Sequence, residues 1–391
     1  MTDLPTSLGA YHTPEREALQ QLAHDFALEE VLPVANRLDP VGGKIPAELR
    51  AKMGEVGFFA LRLPPEYGGL GLGLFEYCLV TEELARAWMS VASLIARAEL
   101  LPEQLGHERL ADRYARMVSG DYLAAAAWSE PEAGSDLGSL SCRAVREGDD
   151  WLLSGRKMWC TNADDAAYIT VLARTEPRDP AHRHRGIGIF FLEKEPGTFP
   201  PGLVGTPINT IGYHGMRTFE LAFDDLRLPE WSLVQSAGGF ETTAAELFAS
   251  RIHTAARAIG LARGALEDSI VYAGQRVQFG RPIAHFQAIR FKIAWMASEI
   301  EAARQLTYFV AHEFDCGRHR EAEASMAKLV ASEMAERVTS EAIQIHGGYG
   351  YTTDLPLERY WRDARLTKIF EGTSEIQQRI IADRLLGRHR D

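Results

Sequence analysis

Glu371 is followed at once by Gly372, Thr373, Ser374 and Glu375, a carboxylate set against a glycine and two hydroxyls just past an Arg-rich segment. A carboxylate so placed can take a proton, and a backbone without a Cβ at Gly372 can approach a ligand closely. The same residues also describe a solvated turn, so the step needs support from the rest of the chain. Three further clusters offer it. Trp128-Ser129-Glu130-Pro131-Glu132-Ala133-Gly134-Ser135-Asp136 ends a strand-like run in a turn whose N–H groups and Ser oxygens can meet a polar ligand edge. Ser-Asp after Gly is equally a helix start. Trp159-Cys160-Thr161-Asn162 closes a strand whose alternation puts Trp159 and Thr161 on one face, which suits either a stacking platform or a core tryptophan. Arg276-Val277-Gln278-Phe279-Gly280-Arg281-Pro282 reads as a helix end that pairs with the helix terminus Gln344-Ile345-His346-Gly347-Gly348. A guanidinium fork can bind pyrophosphate oxygens and glycines admit close approach, although a surface ion pair would also explain Arg276.

These clusters need a scaffold, and 391 residues supply one: enough chain for two to three domains and a substantial core. The net charge of −12 argues against nucleic acid as a partner, because phosphate binding needs a basic surface. Cys78, Cys142, Cys160 and Cys316 lack metal-ligand or disulfide spacing and read as small core residues in a reducing compartment. No metal site is spelled out. Neither a secretory leader nor an apolar run of about 18 residues is present, so a cytoplasmic protein with no membrane span is expected.

The hydrophobic period changes twice along the chain. From Thr13, an N-cap with Pro14 at the first helical position, to about Gly120 the pattern is helical. Short β-branched and aromatic runs follow at 141–146, 151–161, 168–173, 187–192 and 219–223, with a hairpin turn at Gly148-Asp149-Asp150. The helical period then returns. One stripe is Ile289, Ile293, Met296 and Ile300, and another is Met326, Val330, Met334, Val338, Ala342 and Ile345. Four helices are expected there, at about 238–276, 284–313, 321–346 and 356–387, with Gly347-Gly348 stopping the third. Glu176 to Arg185 reads as a surface loop. The predicted fold is α+β and mainly helical: an N-terminal helical domain (1–121), a middle antiparallel β domain (122–236) and a C-terminal four-helix bundle (237–391).

These motifs, in this order across an α, β, α chain, closely resemble the acyl-CoA dehydrogenase family. The resemblance runs from the Glu66-Tyr67-Gly68-Gly69 loop to Leu385-Leu386-Gly387. It implies an FAD enzyme that converts an acyl-CoA thioester to the trans-2-enoyl-CoA in fatty acid or other lipid metabolism. Ala126 to Ser135, including Trp128 and Ser129, would hold the flavin edge, with Ser129 where a Thr is usual. Trp159 and Thr161 would pack on and bond to the flavin. Arg276, Gln278, Phe286 and Gln287, with Gln344, Gly347 and Gly348, would reach its pyrophosphate and adenosine from a neighbouring subunit, which implies a homotetramer of paired dimers. Thr373 and Glu375 would close the cofactor site.

By the same resemblance Glu371 is the base. It would take the α-proton as hydride leaves the β-carbon, with the flavin ribityl hydroxyl and the Glu371 N–H stabilising the enolate. Ser250 stands where some members carry the base and cannot serve. Ser135, Arg251 and Gly372 would contact the substrate, Arg251 being open to a surface ion-pair reading, and an electron-transfer flavoprotein would take the electrons. The chain departs from the pattern at Glu132, in place of a Gly. It departs also at Ala92 to Pro102, which is shorter and carries Arg97 and Glu99, charges that could shape a pocket for a short, branched or polar acyl group or could simply face solvent. An O2-using flavin oxidase, or a non-dehydrogenase flavoprotein with a binding role, are the alternatives within this fold.

Overall fold

A computed structural model describes residues 8–98, 105, 107–236 and 239–387, with the side chains of 107, 108 and 239–247 left aside. Six α-helices come first: α1 (Pro14–Phe26), α2 (Leu32–Leu38), α3 (Ala47–Glu55), α4 (Leu74–Ala87), α5 (Met89–Arg97) and α6 (His107–Val118). Thr13 caps α1, its Oγ1 accepting from the Arg16 N–H at 3.2 Å.

The sheet follows, built from β1 (Ala124–Ala127), β2 (Arg143–Glu147), β3 (Asp150–Thr161), β4 (Tyr168–Arg174), β5 (Ile187–Glu193), β6 (Leu203–Ile208), β7 (Thr218–Pro229) and β8 (Leu233–Gln235). Their order is β6-β7-β3-β2-β4-β5-β8, with β1 beside β4. Most neighbours are antiparallel, but β1 runs parallel to β4, so the sheet is mixed. β1 is four alanines, which carry no strand signal of their own. It is a strand through its parallel pairing with β4, Ala124 to Ala127 lying opposite Tyr168 to Val171. β6 escapes a sequence reading for another reason: Gly205 and Pro207 are tolerated because it lies at the sheet edge.

The chain then returns to helices, α7 (Gly239–Gln275), α8 (Gln287–Asp315), α9 (Glu321–His346), α10 (Leu357–Thr367) and α11 (Ser374–Leu386). One apolar core runs through α1, α4, α5, α7, α8 and α9, so the helices on either side of the sheet in sequence form a single helical body. Inside that body Glu82 and Glu83 of α4 accept from Arg263 of α7 at 3.0 and 2.7 Å, and Arg304 of α8 reaches Glu82 at 2.9 Å. Buried charges persist in a core when paired in this way, and here they fix the register of three helices.

Four expectations need correcting. The single helix expected over 356–387 is two, because Glu371 and Gly372 take φ values of +54° and +90° and turn the chain between α10 and α11. Residues 276–282 are not a plain helix end but a hairpin, β9 (Val277–Gln278) and β10 (Arg281–Pro282), turned at Phe279 and Gly280, both with positive φ. In α9, Val330 is exposed, although Met334, Val338, Ala342 and Ile345 of the same expected stripe are buried. The buried face there passes instead through Ala327, Lys328, Ala331, Met334 and Ala335. Cys316, finally, is exposed at the end of α8 and not a core residue, unlike the buried Cys78, Cys142 and Cys160. Among the described residues no helix is long and apolar enough to cross a membrane, and none of the His, Cys, Asp and Glu side chains cluster as a metal site.

Candidate active site

The six residues between α10 and α11 hold the Glu371 carboxylate at the edge of the helical body, with 27% of its side chain open to solvent. Its Oε1 accepts from Arg257 Nη2 at 2.7 Å and its Oε2 accepts from Thr254 Oγ1. Thr254 and Arg257 lie three apart on α7 and so share a face. Arg257 is itself fully buried and pinned: it donates to Ser93 Oγ of α5 at 2.8 Å and to Thr254 Oγ1 at 3.0 Å, and its guanidinium sits 4.6 Å over the Phe370 ring.

The backbone beyond the carboxylate is secured from below. Lys328 Nζ of α9 donates to the Gly372 carbonyl at 2.7 Å, and Gln377 Nε2 donates to the same oxygen at 2.9 Å. A Cβ at Gly372 would stand 2.5 Å from that Gln377 amide nitrogen, so the position needs glycine for space as well as for φ. Thr373 caps α11, accepting from the Ile376 N–H at 3.3 Å. Burial pulls the Lys328 ammonium down to about 8, against the opposing pull of the Glu371 carboxylate. Among the described residues no acceptor meets the Glu371 N–H.

The β domain reaches the same place through the loop between β6 and β7. Tyr213 packs its ring against Phe370 with centroids 5.9 Å apart, and its N–H donates to Asp363 Oδ1 of α10 at 2.6 Å. Among the described residues, Tyr213 Oη, His253 Nε2 and Arg257 Nε are buried without a hydrogen-bond partner.

The residues expected from sequence fall into three groups. Glu371, Gly372 and Thr373 share the loop just described, with Glu375 exposed in the first turn of α11. Arg251 is half-buried on α7, on the side of Lys328, where the Glu321 carboxylate supports its charge.

Ala126, Trp128, Ser129, Ser135, Trp159 and Thr161 belong to the sheet and its loops. Trp128 Nε1 donates to Thr170 Oγ1 at 3.2 Å, and the Ser129 carbonyl accepts the Met158 N–H at 2.9 Å, tying the turn to β3. Simple alternation fails at the end of β3, where the register with β7 shifts between Lys157 and Cys160 and Trp159 takes a φ of +63°. The bulge turns the Trp159 indole outward, 58% exposed, while Thr161 stays buried against Thr218 Oγ1 at 3.1 Å.

Arg276, Gln278, Phe286, Gln287, Gln344, Gly347 and Gly348 form a patch of their own at one end of the bundle. The Arg276 guanidinium lies 5.8 Å over Tyr349, and Tyr272 Oη donates to the His346 carbonyl at 3.2 Å, so the hairpin and the α9 terminus do meet. Phe279 at the hairpin tip is 93% exposed, and a Cβ on Gly347 or Gly348 would meet nothing within 4 Å. An outward indole beside main-chain donors and hydroxyls fits a flat aromatic ring, and an arginine beside open glycines fits a pyrophosphate.

Thr254, Arg257, Lys328 and Tyr213 were not anticipated from sequence. Their signal was present: His253-Thr254-Ala255-Ala256-Arg257-Ala258-Ile259 puts polar residues on the buried face of an otherwise apolar helix, and Lys328 interrupts the apolar face of α9. Glu132 is exposed in its turn, Arg97 ends α5, and Glu99 lies outside the described residues.

Residues 13–121, 125–226 and 237–386 match the sequence patterns of the acyl-CoA dehydrogenase N-terminal, middle and C-terminal domains. A (2S)-methylsuccinyl-CoA dehydrogenase of Cereibacter sphaeroides is 40% identical over 95% of this chain and 70% of its own. The mitochondrial short-chain specific acyl-CoA dehydrogenase of Bos taurus is 38% identical over 99% of this chain and 94% of its own. The butyryl-CoA dehydrogenase structure from Megasphaera elsdenii superposes with a TM-score of 0.89 at 34% identity, covering 96% of this chain and 99% of that one.

Proposed function

The chain belongs to the acyl-CoA dehydrogenase family of FAD-dependent oxidoreductases, and we propose on that footing that Glu371 is the base that removes the α-proton of an acyl-CoA thioester. The observation that carries this reading is the doubly held carboxylate beside its own unpartnered N–H. A carboxylate of ordinary basicity, about 4.3 in water, is far too weak for a thioester α-proton unless the developing charge is stabilised where it forms. The Glu371 N–H is a donor in place for a thioester oxygen.

Arg257 and Thr254 hold the carboxylate oxygens, so little orientation is left to be lost when the proton moves. Lys328 and Gln377 hold the Gly372 carbonyl and with it the strained turn on which the base sits. Bound FAD supplies the hydride acceptor for the β-carbon, and the product is the trans-2-enoyl thioester. Ala126, Trp128, Ser129, Ser135, Trp159, Thr161, Thr373 and Glu375 would hold its ring end. Arg276, Gln278, Phe286, Gln287, Gln344, Gly347 and Gly348 would hold the pyrophosphate and adenosine of a neighbouring copy's cofactor. Arg251 and Ser135 would contact the substrate beyond the thioester.

A cofactor shared in this way needs an oligomer, and we read a homotetramer. In its support, the cleft between α8 and α9 exposes Phe291, Trp295 and Trp361, an apolar surface of the kind that subunit contacts cover. The division at 1–121, 122–236 and 237–391, an electron-transfer flavoprotein as acceptor, a role in fatty acid metabolism and a cytoplasmic site belong to the same reading. Anaerobic titration of the yellow holoenzyme with a panel of acyl-CoAs tests it: loss of flavin absorbance near about 450 nm with formation of the 2-enoyl-CoA is expected. A panel that leaves the flavin fully oxidised would contradict it.

A further inference from the structure

Glu130 and Lys157 form a buried ion pair between the loop after β1 and the end of β3, their side chains 3% and 0% exposed and Nζ 2.8 Å from Oε1. The carboxylate is fully used. Oε1 also accepts the Cys142 N–H at 2.9 Å, and Oε2 accepts the Ser141 N–H at 2.6 Å and the Ser141 hydroxyl at 2.8 Å, so the residues leading into β2 join the same point. Burial alone would raise the Glu130 carboxyl, but Lys157 and the two main-chain donors outweigh it and leave it below its ordinary value, so it stays charged.

The pair is one of several ties between the same two segments. Lys157 Nζ also donates to the Trp128 carbonyl at 3.0 Å, and the Met158 N–H donates to the Ser129 carbonyl at 2.9 Å. The turn itself closes through reciprocal main-chain bonds between Glu130 and Ala133, at 2.8 and 3.2 Å. Trp128, Ser129 and Glu130 are thus each tied to Lys157 or Met158, the two residues just before Trp159. Trp159 stands at the bulge with a φ of +63° and an indole 58% exposed. A side chain so far out in solvent takes little of its direction from packing, so the backbone ahead of it must supply that direction. A buried ion pair seldom adds stability over an apolar pair of equal volume, but its charge-assisted hydrogen bonds fix geometry.

We propose that the Glu130–Lys157 pair is a positioning device for the flavin ring, setting the Trp159 indole in a fixed place relative to the turn that carries Trp128, Ser129 and Ser135. This rests on the reading that these two segments hold the ring end of FAD. Buried behind the turn, Glu130 and Lys157 act through Trp159 and the main chain and not by contact with the ring.

The test titrates FAD into full-length apoprotein of the wild type, Lys157→Met, Trp159→Ala and the double variant. Each single change should weaken FAD by about 10-fold. The double variant should lose no more than about 30-fold, because both changes remove the same placement of the indole, whereas independent effects would multiply to about 100-fold. At saturating FAD, flavin emission, which a stacked indole quenches, should rise in Lys157→Met as it does in Trp159→Ala. Lys157→Arg should recover part of both losses. Glu130→Asp, which shortens the reach by one methylene and keeps the charge, runs the same cycle and keeps the test available if Lys157→Met does not fold. Wild-type FAD affinity in the Lys157 and Glu130 variants, or losses that multiply with Trp159→Ala, would overturn the proposal while leaving Trp159 at the flavin. Wild-type affinity in Trp159→Ala itself would overturn the reading beneath it, and the proposal with it.

Discussion

Arg257 Nη2 lies 2.7 Å from Glu371 Oε1, joining a fully buried guanidinium on α7 to a carboxylate carried by a left-handed turn 114 residues further along the chain. The contact turns a loose loop carboxylate into an aimed one. With Ser93 holding Arg257 from α5, it ties the first helices to the last ones at the point where the chemistry is placed.

Replacing Arg257 with Gln should lower kcat by about 10- to 100-fold with KM changed by less than about 3-fold, since orientation of the base and not substrate affinity is lost. Arg257→Lys should restore part of kcat. FAD content should be unchanged in both. A kcat equal to wild type would show that the carboxylate needs no such anchor. Thr254→Val, a milder change, should show the same split in smaller measure.

Lys328 gives a pH signature. Its folded value of about 8 lies below the ordinary 10.5, so between those values the unfolded chain holds a proton that the folded chain has lost. Stability due to this group therefore rises with pH across that window, by at most about 3 kcal/mol. Thermal midpoints of wild type and Lys328→Met, measured from pH 7 to pH 10, should show the wild type gaining on the variant as pH increases. A constant difference would mean that the ammonium is not perturbed by burial.

The two patches proposed to hold the flavin can be separated by where flavin loss leaves the rest intact. Trp159→Ala removes an indole that is already 58% exposed, so the apoprotein should keep its melting temperature while FAD affinity falls by about 10-fold. Arg276→Ala should also weaken FAD, although Arg276 sits with Tyr349 at the end of the bundle and not on the sheet. If that patch serves a neighbouring copy, flavin retention should fall on dilution along with oligomer mass. Full retention of FAD in a monomer would contradict the shared site.

How far the sequence carried this account can be read from particular residues. Thr13 and Pro14 marked the start of α1 to the residue, because caps and fixed φ act locally. The Glu371-Gly372 step was visible as chemistry but not as geometry: a left-handed glutamate has no composition signal, so the helix expected across it was drawn unbroken. β1 showed only as a strand-like run ending at Trp128, without bounds, because four alanines become a strand only through their neighbours. Trp159 turned out of its expected face because a bulge is set by pairing with β7 and not by alternation. Arg257 was missed because its meaning depends on a partner far along the chain, and a single buried arginine in an apolar helix states only that a partner exists.

The central claim is that Glu371 removes the α-proton, and Glu371→Gln tests it most directly. The variant should purify yellow, with FAD bound and the fold unchanged, and when mixed anaerobically with an acyl-CoA that bleaches the wild type its absorbance near about 450 nm should hold, the rate falling by about 100- to 10,000-fold. Bleaching at the wild-type rate would contradict the assignment and move the search for the base elsewhere in the junction.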